Sequence, residues 1–229
     1  MASPDVALDI ERARFNMIEQ QIRPWDVLDQ TVLDLLATVR REEFVPPQYR
    51  RIAFTDMEVP LRLDDGDTGE RMFAPKVEAR FMQELQLRAH EQVLEVGTGS
   101  GYMAALAAHK AAAVLSIEIE PRLRAFAERN LARAGIRNVK VESGDGAQGW
   151  SAHAPYDAII VSGGLPALPQ ALLDQLKIGG RLAVIVGEAP AMSAQIVTRV
   201  SETAYDTLRL FETNVKLLRN AWQPSVFKF

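Results

Sequence analysis

The chain contains no cysteine, which removes disulfides, thiolate nucleophiles and cysteine-type zinc sites at once. Histidine is almost missing too. His90, His109 and His153 share no metal-ligand spacing and read as surface residues at loops or helix ends, so no metal is expected. No apolar run approaches the length of a membrane span, and Met1-Ala-Ser-Pro-Asp-Val lacks the basic-then-apolar order of a secretory signal. Positive charge is not in excess: 26 Lys and Arg stand against 30 Asp and Glu, a net charge of −4. That balance argues against a broad nucleic-acid surface. What remains is a chain of 229 residues, 48% hydrophobic, long enough for one sizeable α/β core. The cytoplasm is the default expectation, with no membrane or nucleic-acid partner and a monomer or small homo-oligomer as the assembly.

Along the chain, residues 8–40 read as two helices. Phe15, Ile18 and Ile22 lie on one face of the first, which Pro24 ends. Leu28, Val32, Leu35, Leu36 and Val39 recur at helical spacing in the second, and both faces need cover, which makes the segment a cap on a main domain. Val45-Pro46-Pro47 breaks any long helix there. Thr55–Ala74 reads as irregular, with a solvated turn at Asp64–Gly69 that lacks the terminal Glu of a calcium loop. Pro75 suits the first turn of a helix whose stripe is Val77, Phe81 and Leu85.

From Gln92 onward strands and helices alternate. Strands are expected at 92–96, 114–119, 139–142, 156–162 and 182–186, with helices at 103–109, from Pro121 to Gly135, and at 168–176. Ser193–Val200 and Thr207–Val215 follow as two more strands. The pattern implies a parallel doubly wound sheet closed by a terminal antiparallel hairpin.

The chemistry concentrates where the first of these strands ends, in Val93-Leu-Glu-Val-Gly-Thr-Gly-Ser-Gly-Tyr102. Glycines at 97, 99 and 101 let the backbone turn sharply and a ligand approach the helix start. A dinucleotide fingerprint needs a glycine at 102, where Tyr102 stands, so a dehydrogenase fails. Glu95, two residues before the first glycine, repels a pyrophosphate and suits a cationic ligand. S-adenosylmethionine carries an ammonium and a sulfonium and no phosphate. Glu118 ends the second strand 21 residues beyond Gly97, where a carboxylate can accept from both ribose hydroxyls. Ser143-Gly-Asp-Gly-Ala147 ends the third, and Asp145 can accept from an adenine amino group while its glycines admit the ring. Ser162, then Gly163-Gly164-Leu165-Pro166, brings a flexible mouth to the same edge. Taken alone, Gly144-Asp145-Gly146 is more often a plain turn; all three elements at the right strand ends are hard to dismiss together. No base or triad is evident, which favours weakly an acceptor already ionised at neutral pH, such as a carboxylate.

Several stretches in order resemble the protein-L-isoaspartate O-methyltransferases. They are Phe44-Val-Pro46, Ala53–Pro60, Val93–Tyr102, Ser116-Ile-Glu118, Gly144-Asp-Gly146 with Gly149-Trp150, Ala154–Val161 and Ala171–Leu182, covering roughly residues 10–190. The resemblance implies a Rossmann-like seven-stranded S-adenosylmethionine-dependent methyltransferase fold with an N-terminal helical cap. The chain is expected to comprise an N-terminal helical cap with a substrate-side loop (1–74) and an S-adenosylmethionine-binding domain (75–229), together one compact unit. The resemblance implies esterification of the α-carboxyl of isoaspartyl residues in damaged protein, with S-adenosylhomocysteine as product. By the same resemblance Gly97, Thr98, Gly99, Ser100 and Gly101 hold the methionine end, Glu118 the ribose, and Asp145 and Gly146 the adenine; Glu95 and Ile119 are counted with the cofactor-binding residues. On the acceptor side the family has Gln-Thr-Ile-Ser-Gln-Pro, where this chain has Glu70-Arg71-Met72-Phe73-Ala74-Pro75. Arg71, Met72, Phe73 and Ser162 are the acceptor-side candidates, with Phe73 where a serine is expected. Two other classes stay open. One is a diverged methyltransferase acting on a small molecule, with RNA the weaker candidate; the other is a non-catalytic nucleoside-binding module. The aromatic tail, Trp222, Phe227 and Phe229, is expected to pack back on the sheet or to meet a partner.

Overall fold

The computed structural model describes residues 4–222, so of the aromatic tail Phe227 and Phe229 lie outside the described residues. The chain divides into two compact units, Met1–Gln86 and Leu87–Phe229. No helix among the described residues is long and apolar enough to cross a membrane.

The first unit opens with α1 (Pro4–Met17), which loosens into a π turn over Ile18–Ile22 and a tight turn over Arg23–Trp25, with Asp26 left-handed at φ 58°. Pro24 falls in that terminating turn, as its missing N–H dictates. The buried stripe is Arg14, Met17, Ile18 and Ile22, whereas Phe15 is 62% exposed, a correction to the face expected from sequence. The physical reason is that Arg14 is buried in an ion pair with Glu42, which turns α1 so that the next position faces solvent. Leu28 is likewise exposed, because α2 (Gln30–Thr38) starts only after Asp29, whose carboxylate caps it by accepting from Thr31 N–H at 2.8 Å. Val32, Leu35, Leu36 and Val39 are buried as expected.

Thr55–Ala74 is not irregular. It contains an antiparallel hairpin, β1 (Val59–Leu63) and β2 (Gly66–Met72), joined by the two-residue turn Asp64-Asp65. Only Thr68 and Met72 of β2 are buried, so the strand is made by pairing rather than by β-forming side chains. The helix α3 (Pro75–Leu85) begins on Pro75 and buries Val77, Phe81 and Leu85.

The second unit is a seven-stranded sheet built from β3 (Gln92–Val96), β4 (Ala113–Glu118), β5 (Val139–Ser143), β6 (Tyr156–Leu165), β7 (Leu176–Glu188), β8 (Ala191–Arg199) and β9 (Tyr205–Thr213). Their order is β5-β4-β3-β6-β7-β8-β9; the first five are parallel, and β8 and β9 close the edge antiparallel. The chain runs outward from β3 through β4 to β5, then crosses back to β6. That reversal makes the carboxyl ends of β3 and β6 a switch point, where open α/β sheets bind ligands. Between strands lie α4 (Tyr102–Ala108), α5 (Pro121–Arg133) and α6 (Gln170–Asp174). Leu94, Val96, Ile117, Ile159, Val161, Leu182 and Val184 belong to the buried core. On α5, Leu123, Phe126, Ala127 and Leu131 are buried, and Gly135 at φ +72° follows the helix end.

In the second unit two further segments differ from expectation. Gly163-Gly164-Leu165 continue β6 instead of forming a flexible mouth, since Gly164 N–H donates to Lys216 O at 2.8 Å and Leu165 pairs with Val186. The helix expected over 168–176 shrinks to α6 because Leu176 already pairs with Tyr156 as a strand residue.

Candidate functional site

The glycine turn leaves β3 with all three glycines left-handed: Gly97 at φ +90°, Gly99 at +55° and Gly101 at +84°. Only a residue without a Cβ adopts three such angles in five positions without strain. Gly97 and Thr98 N–H groups both reach Ile117 O, at 2.9 and 3.3 Å, which folds the turn against the end of β4. Asn130 on α5 donates to Ser100 O at 2.9 Å from a buried position, and Ser100 Oγ accepts from Tyr102 N–H at 3.3 Å. Tyr102, the residue that excludes a dinucleotide fingerprint, is buried at the start of α4.

Glu118 is buried at the end of β4. Its Oε2 accepts from Gly99 N–H at 2.8 Å and its Oε1 from Glu120 N–H at 2.9 Å. The carboxylate therefore ties the glycine turn to its own loop. An ionised carboxylate offers about four acceptor sites, which lets one acid serve several donors at this edge. Ile119 beside it is 37% exposed, an apolar surface at the same edge. Past β5, Gly144 N–H donates to Glu118 O at 3.0 Å, and Asp145 Oδ1 accepts from Ala147 N–H at 3.0 Å. A Cβ on Gly146 would stand 2.8 Å from Val96 Cγ1, and one on Gly144 would stand 2.4 Å from the Trp150 ring. Glycine at both positions lets this loop lie flat against β3 and the indole.

Glu95 has 0% exposure and holds a hydroxyl chain together. Ser116 Oγ donates to Glu95 Oε2 at 2.6 Å and Ser162 Oγ to Oε1 at 3.0 Å. Ser116 has one proton and spends it on the carboxylate, so in its 2.5 Å contact with Thr98 the threonine is the donor. Thr98 and Ser162 have thereby committed their only protons inward. Any group approaching either hydroxyl meets lone pairs alone.

The remaining acceptor-side candidates belong to the first unit. Arg71 is exposed, and its charge acts on Glu58, whose carboxyl burial pushes up while Arg71 pulls it down. Met72 is buried. Phe73 is 6% exposed and sits edge-on to Phe81, with ring centroids 6.3 Å apart. Its carbonyl accepts from Arg41 Nη2 at 2.6 Å. Arg41, wholly buried, also donates from Nε to Ala53 O at 2.9 Å and pairs with Glu78.

Sequence reasoning missed Ser116, Asn130 and Arg41. The first two carried a signal, a polar residue inside an otherwise apolar strand and an asparagine on the buried face of a helix. It also missed Arg219 and Asn220, which lie between the expected last strand and the aromatic tail. Arg219 Nη1 donates to Glu120 Oε2 at 3.1 Å, and Asn220 Nδ2 to Asp145 Oδ2 at 2.9 Å. The three histidines are exposed, as expected.

Comparison with known proteins extends this geometry. The family model for protein-L-isoaspartate(D-aspartate) O-methyltransferase matches residues 12–214. A protein-L-isoaspartate O-methyltransferase of Methanoculleus marisnigri is 43% identical over 176 residues, 77% of this chain and 78% of that one. Among solved structures, a protein-L-isoaspartate O-methyltransferase superposes with a TM-score of 0.74 at 27% identity, covering 90% of this chain and 65% of its own. A Plasmodium falciparum structure, described as a protein-L-isoaspartate O-methyltransferase in complex with S-adenosyl-L-homocysteine, shares the fold with a TM-score of 0.75 at 22% identity, covering 89% of this chain and 97% of its own.

Proposed function

The chain belongs to the protein-L-isoaspartate O-methyltransferase family, and from that membership we propose that it transfers a methyl group from S-adenosylmethionine to the free α-carboxylate of isoaspartyl residues in proteins or peptides. The observation that carries the reading is the convergence of the glycine turn, Glu118 and Asp145 at the carboxyl edge of β3, β4 and β5. The residues fit this cofactor. Glu118 has the chemistry to accept from ribose hydroxyls, and Asp145 to accept from an adenine amino group. Gly144 and Gly146 leave a flat loop beside the ring. Lone pairs on Thr98 and Ser162, backed by buried Glu95, suit an ammonium group and repel a phosphate.

S-adenosylmethionine supplies a methyl group on a positively charged sulfur. A carboxylate acceptor is ionised at neutral pH, so this chain has no proton to remove. Its residues need only hold oxygen, methyl and sulfur in line and exclude water. That agrees with an edge whose ionisable groups, Glu95, Glu118 and Asp145, are engaged in hydrogen bonds.

A second reading, methyl transfer to a different acceptor, draws on two observations. The Phe73 ring is packed on Phe81, and Ser162 spends its proton on Glu95. Neither side chain can donate a hydrogen bond to orient a carboxylate. The deciding experiment supplies methyl-labelled S-adenosylmethionine with matched isoaspartyl and aspartyl peptides and measures methanol released by base. Methanol from the isoaspartyl peptide alone supports the first reading. Absence of methanol, with S-adenosylhomocysteine binding intact, selects the second.

A further inference from the structure

The stretch Lys216–Ala221 returns after β9 and crosses the edge where the candidate site lies. Two backbone bonds seat it on β6: Gly164 N–H donates to Lys216 O at 2.8 Å, and Leu218 N–H to Gly164 O at 2.9 Å. Close approach is what the glycines of β6 allow. A Cβ on Gly163 would stand 2.6 Å from Leu218 Cδ2, and one on Gly164 would stand 3.1 Å from Leu217 Cδ2. Leu218 also lies over the glycine turn, 3.3 Å from where a Cβ on Gly97 would be. Beyond it, Arg219 bonds Glu120 in the loop after β4, and Asn220 bonds Asp145 in the loop after β5. One short segment thus touches the carboxyl ends of β3, β4, β5 and β6. Asn220 does so with φ +57°, a left-handed conformation that asparagine tolerates better than most side chains.

We propose that Lys216–Ala221 is a latched strap over the nucleoside cleft, and that Arg219 and Asn220 are positioning residues that set how fast the nucleoside cofactor exchanges. The proposal rests on the cofactor reading above in taking the cleft to hold S-adenosylmethionine and its product. Both latches end beside the groups assigned to the nucleoside. Glu120 donates its N–H to the Glu118 carboxylate, and Asp145 is the adenine acceptor. A nucleoside held by Glu118 and Asp145 therefore has the strap fastened to the same two loops, so its passage requires the fastenings to part. They are suited to parting. Arg219 is partly exposed and screened by salt, and Glu120 keeps a second cation, Arg122 at 3.0 Å, so its charge stays paired when Arg219 lets go. Segments held by few buried contacts open locally while the rest of the sheet stays folded.

The test follows release of labelled S-adenosylhomocysteine from the full chain, chased with unlabelled ligand. Arg219→Ala with Asn220→Ala is expected to release it at least tenfold faster, each single variant falling between. Association should speed up as well, so affinity changes less than release. Arg219→Lys should restore the slow rate, and raised salt should hasten release from the wild type but not from the Arg219→Ala chain. Gly163→Ala, which presses on Leu218 without touching either latch, should also speed exchange. Release within twofold of wild type in the double variant overturns the proposal; so does faster release with unchanged association, which would make Asn220 a plain ligand contact. Hydrogen exchange at the Leu218 amide of the unliganded chain tests the latch separately, with at least tenfold faster exchange expected in the double variant. Unchanged exchange there overturns the latch whatever the ligand does. A wild-type chain that binds no S-adenosylhomocysteine, yet shows the exchange effect, overturns the cofactor reading and leaves a strap over some other cleft.

Discussion

Glu118 fastens Gly99 and Glu120 through their amides with one carboxylate, and in the proposed function the same group takes the ribose. Glu118→Ala is expected to weaken S-adenosylhomocysteine binding by about 1–3 kcal/mol and to lower folding stability by a similar amount, because two N–H groups lose their acceptor. Titration calorimetry and denaturant unfolding measure the two losses separately. Affinity unchanged alongside reduced stability would confine Glu118 to holding the turn. The acid was legible in the sequence because its distance from the glycines is set by one strand-helix-strand passage. The hydroxyl directions were not, since they depend on Glu95 meeting Ser116 and Ser162 from two different neighbouring strands. Phe73 was visible as a departure from the family's serine, but its burial was not. With the ring seated on Phe81, Phe73→Ser should cost about 3–5 kcal/mol in chemical denaturation. A gain in isoaspartyl turnover at unchanged stability would mean that the ring faces an acceptor after all.

At the scale of elements, the alternating half of the chain was readable because buried parallel strands are short apolar runs and α5 carries a clean stripe. The hairpin β1–β2 was not, since Pro60 argues against a strand and β2 is almost wholly polar. Gly163-Gly164 read as a loop because glycine signals flexibility unless the group pressing on it is known, here Leu218 and Leu217. Arg41 joins elements that sequence cannot relate, taking the carbonyls of Ala53 and Phe73 and the Glu78 carboxylate on α3. Arg41→Met should destabilise the chain by about 3–5 kcal/mol, since it strands a buried acid and two carbonyls. Burial pushes the Glu78 carboxyl up to about 7, against the downward pull of Arg41. The sign of the pH effect follows. Between about 4.5 and 7 the unfolded chain has released this proton while the folded chain retains it, so folding loses stability as pH rises through that window. Relative to Glu78→Gln, the wild type should become less stable from pH 5 to 7 and run parallel above it. Parallel curves throughout would show Glu78 ionised across the window.

For the molecule as a whole, the sheet order is what turns scattered motifs into one site. Because β3 lies between β4 and β6, residues far apart in sequence, such as Glu95 and Ser162, become neighbours across a strand spacing. S-adenosylhomocysteine at a hundred times its dissociation constant should stabilise the folded chain by about 2.7 kcal/mol, read as a rise in melting temperature, while NAD should give none. A rise with NAD would return the dinucleotide class that Tyr102 excludes. Absence of a rise with either ligand would favour a fold that has lost its nucleoside.

The strap also has a place in time. A ribosome lays down β3 to β6 first, and about fifty further residues must be added between Leu165 and Lys216, roughly 3–10 s of synthesis. During that interval the nascent chain carries the glycine turn, Glu118 and Asp145 with nothing yet fastened across them. A nucleoside captured then would be free to leave, and retention would begin only when the chain had turned back after β9. Ligand present during translation would therefore gain little over ligand added afterwards, and the codons for Lys216–Ala221, rather than the motif-bearing part, would fix the moment at which the cleft closes.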